Sequence, residues 1–230
     1  MPGGQVVVVG AGIGGLACAL SLAAQGLSVT VLEKAASAGG KVREVVIDGK
    51  GIDSGPTVFT MRWVFDSLFD AAGASLDAEL RLTKAEILAR HAWDATTRFD
   101  LFADQKRSID AVGDLAGSAE AARFRAFCAE AALIYRTLRD AFLDAQRPGP
   151  VTLARRIGLH RPGALFAIRP FETMWRALGR HFRDPRLQQL FGRYATYCGS
   201  SPFAAPATLM LISHVEQDGV WLVDGGMQRL

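Results

Sequence analysis

The sequence predicts an α/β fold that opens with a parallel β-α-β unit and continues into a mixed, largely helical insert. Three observations carry that expectation. Four β-branched residues, Val6 to Val9, run straight into a glycine cluster. An Ala/Leu-rich stretch, Leu16 to Gln25, leads to a second apolar run that stops at Glu33. From Ser118 onward, apolar residues recur at helical rather than strand spacing.

Val6 to Val9 is expected to be a buried strand of a parallel sheet, since such strands read as unbroken β-branched runs. The turn that follows is Gly10-Ala11-Gly12-Ile13-Gly14-Gly15. Gly10, Gly12 and Gly15 have GxGxxG spacing: the first permits a tight turn, the second lets backbone approach a pyrophosphate, and the third lets helix pack close on strand. The helix start then offers free N–H groups and a positive dipole end to phosphate. Gly26 is placed to end that helix. A second strand, Leu27 to Leu32, delivers Glu33 about 20 residues beyond the first glycine, where a carboxylate accepts both ribose hydroxyls of an adenosine. It would repel a 2′-phosphate, which disfavours NADP. Together these signals predict a Rossmann-type dinucleotide site.

The same stretch is expected to be neither a transmembrane helix nor a signal peptide. Val6 to Ala24 is uncharged and approaches the ~20 residues of a transmembrane helix, but the glycines break it into strand, turn and helix. No Lys or Arg precedes it, so a signal peptide lacks its basic start. The 230 residues are 50% hydrophobic and 21% charged, with mean hydropathy +0.16, which excludes disorder. The net charge of +3 gives no polybasic field for nucleic acid. Cys18, Cys128 and Cys198 are too scattered for a disulfide framework, and His91, His160, His181 and His214 form no metal motif. A reduced, intracellular protein without a metal is expected.

Beyond Glu33, Ala35-Ala36-Ser37-Ala38 leads to Gly39-Gly40-Lys41. A glycine pair and a base directly after the ribose-binding acid suit a cofactor that extends past its pyrophosphate. Val45 to Ile47 and Ile52-Asp53 read as a hairpin around Asp48-Gly49-Lys50-Gly51. Ser54-Gly55-Pro56-Thr57 follows, then a helix over Phe59 to Ala72 closed by Gly73. Ile87 to Trp93 and Arg98 to Phe102 read as a second hairpin around Asp94 to Thr97. Ser118 is expected to cap a long helix whose stripe includes Phe124, Phe127, Cys128, Ala131, Ile134, Tyr135, Leu138 and Phe142. Pro148-Gly149-Pro150 is the linker candidate.

Residues 147–193 hold ten arginines against Glu172 and Asp184. Phe171, Met174, Trp175, Leu178 and Phe182 fall on one helical face there, with Arg176, Arg180 and Arg183 on the other. Such a helix suits an anionic membrane surface, and a domain helix with solvated arginines is the other reading. Asp184-Pro185 starts a helix expected to run to Cys198 and Gly199. A helix after Pro206, through Leu209 to Val215, and a strand Val220 to Val223 complete the elements.

The stretches Gly10 to Leu16, Val31-Leu32-Glu33-Lys34, Gly39-Gly40-Lys41 and Asp53 to Thr57 resemble the opening of flavin amine oxidases and phytoene desaturases. Gly55 to Phe65, Ala89 to Trp93 and Asp100 to Asp104 resemble the branch of hydroxyneurosporene desaturases, the 1-hydroxycarotenoid 3,4-desaturases. The resemblance spans essentially the whole chain and implies an N-terminal fragment of an FAD-dependent enzyme that dehydrogenates an acyclic carotenoid. It implies a Rossmann-type FAD-binding portion over 1–75, a substrate and membrane-associating insert over 76–218, and a return to the FAD domain over 219–230. FAD-binding residues would be Gly10, Ala11, Gly12, Ile13, Gly14, Gly15, Glu33, Lys34, Gly39, Gly40, Lys41, Gly55, Pro56 and Thr57. Lys41 departs from the arginine common in the superfamily, which keeps the charge but loses bidentate phosphate contact. No catalytic base is assigned. The expected setting is cytoplasmic and peripherally membrane-associated, with a lipophilic carotenoid substrate. Other flavin oxidoreductases of the superfamily, such as a phytoene desaturase or an amine oxidase, and a flavin-free lipid carrier remain alternatives.

Overall fold

The computed structural model describes residues 4–145, 149–157 and 167–230. Pro148 of the expected linker and His160 lie outside them. The chain divides into two compact units: Met1–Ala85 with Gly219–Leu230, and Glu86–Asp218.

In the first unit β1 (Gln5–Val9) and β2 (Ser28–Leu32) pair in parallel, with Gln5 opposite Ser28 and Val9 opposite Leu32. Helix α1 (Ile13–Ala24) makes the crossover, and Gly26 ends it at φ +81° with its N–H on the Ala23 carbonyl at 2.9 Å. The expectation of a buried strand is corrected. Val7 is 54% and Val9 84% exposed. The side chains alternate, so Val8 faces α1 while Val7 and Val9 point to the opposite, open face; β2 is the one strand paired with β1 among the described residues.

Strands β3 (Glu44–Ile47) and β4 (Lys50–Asp53) form the expected hairpin, but with a two-residue turn. Asp48 and Gly49 both take positive φ, +50° and +75°. That is the geometry that matches strand twist, so Lys50 and Gly51 join the ladder. The helix expected from Phe59 also starts later. Phe59 and Thr60 form β5 and pair with Trp221 and Val220 of β9 (Val220–Val223), whereas α2 spans Arg62–Ala71. Strand β6 (Leu82–Lys84) pairs with the other edge of β9. Burial explains the outcome: Phe59 is 2% exposed in a core with Leu76 of α3 (Leu76–Glu79), Val223 and Met227.

The second unit begins with the antiparallel hairpin of β7 (Ile87–Ala92) and β8 (Arg98–Phe102). The Asp94 carboxylate tightens its turn by accepting the N–H groups of Thr96 and Thr97 at 2.8 and 2.6 Å. Helix α4 (Gln105–Ala116) is capped by Asp104, and α5 spans Ser118–Leu138. Ser118 does not cap α5. It is the first helical residue, and Gly117 at φ +89° makes the entry. The α5 stripe is buried from Phe124 to Leu138, Cys128 included. A π-helical turn over Arg139–Leu143 then rotates the chain, leaving Phe142 41% exposed. Helix α6 (Pro150–Ile157), α7 (Met174–His181), α8 (Pro185–Gly192) and α9 (Leu211–Asp218) follow.

Asp184 caps α8 as expected, accepting the Arg186 N–H at 2.8 Å. The helix does not continue as α to Cys198. It tightens into a 3-10 segment over Arg193–Cys198, where three side chains converge on Glu216 of α9. Glu216 is 3% exposed and takes both Arg193 Nη atoms at 3.2 and 2.6 Å, Tyr194 Oη at 3.1 Å and Tyr197 Oη at 2.6 Å. Burial, and then the hydrogen bond it donates to the Glu216 carboxylate, pushes the Tyr197 hydroxyl up to about 12. Around this network an aromatic core forms, with Phe191 stacked on Phe124 at 5.4 Å and on Phe182 at 5.2 Å and tilted against Phe127 at 4.7 Å.

That core absorbs most of the apolar face read from the arginine-rich stretch. Met174, Leu178 and Phe182 are fully buried, whereas Phe171 precedes α7 and is fully exposed. Among the described residues no helix is long and apolar enough to cross a membrane.

Truncating Phe191 removes the ring that contacts Phe124, Phe127 and Phe182 together. Phe191→Ala should cost about 3–5 kcal/mol of unfolding free energy in urea titrations. A loss under about 1 kcal/mol would mean the cluster is not the centre of the second unit.

Candidate dinucleotide-binding site

The site is built where β1 ends and α1 begins. A Cβ at Gly15 would stand 1.9 Å from the Gly10 carbonyl oxygen, so no other residue lets α1 lie this close to the strand end. With Leu16 donating to Gly12 O at 2.9 Å, the helix starts immediately after the turn. The leading N–H groups of α1 have no partner inside the helix and point out of its N-terminus. Ideal Cβ positions on Gly10, Gly12 and Gly14 meet nothing within 4 Å, so the turn faces open space.

Glu33 sits one residue beyond β2 and reaches back to the turn. One carboxylate oxygen accepts the Ala11 N–H at 2.7 Å and the other the Ala35 N–H at 2.8 Å. These two amides, that of Ala35 most, hold the carboxyl below the usual glutamate range. The acid is thus ionised, aimed at the glycine turn, and retains lone pairs for two further donors. This is a more constrained picture than sequence spacing supplies, because Glu33 also organises Ala11 and is not merely free for a ribose.

The second glycine turn joins the first. Gly39 donates to the Ala11 carbonyl at 2.8 Å and forms a parallel bridge with Gly12. A Cβ on Gly40 would lie 3.1 Å from Gly12 Cα, so backbone packs on backbone here as well. Gly55 abuts the same loop: a Cβ there would stand 1.9 Å from Lys41 O. The fold therefore brings Gly10 to Gly15, Glu33, Gly39 to Lys41 and Gly55 together. Lys34, Lys41, Pro56 and Thr57 are exposed at its margin. A cavity of about 240 Å³ opens beside Ile13, Leu16, Gly39, Val42 and Gln228.

Two residues at this site were not singled out as site residues from the sequence. Asp53 accepts the Met227 N–H with both oxygens, at 3.0 and 3.1 Å, and Gln228 donates to Ala38 O at 2.7 Å. Their partners are so distant in the chain that no local pattern announces them.

The arrangement is a cradle for an anion and an adjoining diol, and its donor set fits a dinucleotide. A helix N-terminus with its free N–H groups faces the open side, as a pyrophosphate would require, and an ionised carboxylate stands beside it, as ribose hydroxyls would require. The described histidines, His91, His181 and His214, belong to the second unit. His181 Nε2 is 3.0 Å from Glu130, and burial pushes His91 and His214 down. Among the described residues no group of His, Cys, Asp and Glu could hold a metal ion.

Residues 8–72 match the NAD(P)-binding Rossmann-like domain family. Among solved structures, putrescine oxidase bound to putrescine aligns over 99% of this chain and 48% of its own, with TM-score 0.57 and 21% identity. A RAB GDI from Plasmodium falciparum aligns over 99% and 54%, with TM-score 0.52 and 13% identity. The chain shares its fold with these proteins. In sequence the chain is 55% identical to the hydroxyneurosporene desaturase of Rubrivivax gelatinosus, over 98% of this chain and 43% of that protein. It is 45% identical to the hydroxyneurosporene desaturase of Rhodobacter capsulatus (97% and 45% covered) and 34% identical to the zeta-carotene-forming phytoene desaturase of Myxococcus xanthus (99% and 44%). The chain spans under half the length of these curated relatives.

The Glu33 geometry has a testable pH consequence. Its folded value is lowered, so its contacts are fully present above the ordinary value of 4.5 and are lost as pH falls through the lower folded value. The Ala11 amide resonance should titrate with a midpoint below 4.5. A midpoint at or above 4.5 would mean that the carboxylate is not held by these amides.

Proposed function

We propose that the intact protein is an FAD-dependent desaturase that dehydrogenates an acyclic 1-hydroxycarotenoid at C-3,4 in carotenoid biosynthesis. The observation that carries this reading is the convergence of Gly12, Glu33 and Gly39 on one turn, in a chain whose relatives include hydroxyneurosporene desaturases. The N–H groups of Gly12 to Gly15 at the start of α1 would hold the pyrophosphate, with those of Gly10 and Ala11 spent on Leu32 O and Glu33 in shaping the turn, and Glu33 would accept the adenosine ribose hydroxyls. Gly39, Gly40 and Lys41 would approach the phosphates from the second turn, with Lys34 and Gly55 to Thr57 at the margin. FAD, when bound, supplies a two-electron acceptor, so that the substrate gives up a hydride and a proton from adjacent carbons and gains one double bond. The protein's part is to hold a long apolar chain in register and keep water away.

The test begins with colour. The purified intact protein should carry noncovalent FAD and convert an acyclic 1-hydroxycarotenoid to a product with one more conjugated double bond. Glu33→Ala should weaken FAD binding roughly tenfold or more, because the ribose hydroxyls lose a charged acceptor. Unchanged flavin occupancy in that variant would overturn the ribose assignment. Oxidation of an amine without any carotenoid conversion would overturn the substrate.

We further infer that the protein associates peripherally with membranes, where such a substrate resides. With α7's apolar face spent on the core, what supports this reading is exposed Phe171 beside Arg176 and Arg180, at a groove of about 890 Å³ that also includes Leu133 and Pro170. Basic residues near an anionic surface contribute about 1 kcal/mol each. Changing Arg176, Arg180 and Arg183 to Gln should weaken co-sedimentation with anionic vesicles and reduce its salt sensitivity. Equal binding by both proteins would leave those arginines as a solvated face.

A further inference from the structure

We propose that Gln228 and Asp53 are positioning residues that lock the second glycine turn, so that the dinucleotide cradle closes only when the turn after β9 is docked. The proposal rests on the dinucleotide reading given above. Its core is a single peptide unit. The Gly39 N–H donates to Ala11 O at 2.8 Å, and the carbonyl of the same peptide, Ala38 O, accepts the Gln228 side-chain amide at 2.7 Å. A peptide unit is planar, so fixing both of its polar ends fixes its rotation. That rotation sets where the following N–H groups, those of Gly40 and Lys41, point.

Without the second contact this peptide is held at its N–H end alone, by Ala11 O. Gly39 and Gly40 both take positive φ, +117° and +62°, and neither carries a side chain to pack. A Cβ on Gly39 would stand 2.2 Å from Val42 O and 2.9 Å from the Gln228 amide, which shows how closely the glutamine covers the turn. Asp53 secures the other end of the lock. Its carboxylate takes the Met227 N–H with both oxygens, one residue before Gln228, and Gly226 at φ +91° brings the chain within reach. Ala38 and Gln228 are 190 residues apart in the chain. The helical insert leaves and re-enters between them, and the return turn inspects the cradle from the far end of the sequence.

The test uses the intact protein with FAD as the probe. Gln228→Met keeps the length of the side chain and removes its donor, and Gln25→Met removes an exposed glutamine at the end of α1 as a control. Gln228→Met should weaken FAD binding roughly fivefold, read by quenching of flavin fluorescence. In the cofactor-free protein it should speed tryptic cleavage after Lys41 and Arg43 by a similar factor, with the melting temperature within about 2 °C of wild type. Gln25→Met should change neither. FAD affinity within twofold of wild type, or weaker affinity without faster cleavage at Lys41 and Arg43, would overturn the lock. Wild-type protein that binds no FAD would refute the cofactor reading instead, and faster cleavage in Gln228→Met would then still support the lock.

Discussion

The glycine cradle of the first unit depends on one close approach: α1 resting on the Gly10 carbonyl with only hydrogen at Gly15 between them. That contact puts the N-terminus of α1 at the strand ends and directs its leading amides outward. Glu33 reaches Ala11 because β2 ends beside the same turn in parallel register. Gly39 and Gly40 reach it because they, too, lack side chains that would hold the backbones apart. A single Cβ at Gly15 would displace the helix and, with it, every later contact of the cradle.

The cradle is polar and open, whereas the second unit is organised by burial. Phe124, Phe127, Phe182 and Phe191 share one aromatic cluster, and Glu216 draws a bidentate arginine and two tyrosine hydroxyls into its flank. A carboxylate this buried is tolerable because all its contacts are donors. The two units therefore divide labour in physical terms. One exposes backbone amides and a charge to a ligand, and the other supplies a packed helical body with a groove on its surface.

How much of this is legible in sequence follows from how local each cause is. The strand, the turn Gly10 to Gly15 and the helix after it are where the sequence places them, because glycine spacing and strand patterning act within a few residues, and Glu33 follows β2 beside that turn. Phe59 and Thr60 are misread as helix because their periodicity is helical, while the force that decides their state is pairing with Trp221 and Val220. Ser118 looks like a cap by type, but Gly117 makes the turn that a cap requires. Of the apolar face expected in the arginine-rich stretch, Met174, Leu178 and Phe182 are taken by the core, whereas Phe171 lies before α7 and stays exposed, because burial is decided by packing partners distant in sequence. Asp53 and Gln228 are the sharpest case, since each touches a partner from the opposite end of the chain and neither residue type is distinctive alone.

The most direct test of the account is hydrogen–deuterium exchange of the intact protein with and without FAD. Amides of residues 11–15 and of 39–41 should gain protection together, with the aromatic core of the second unit unchanged. Protection of one glycine turn without the other, or protection confined to the second unit, would contradict a cradle built from the two turns.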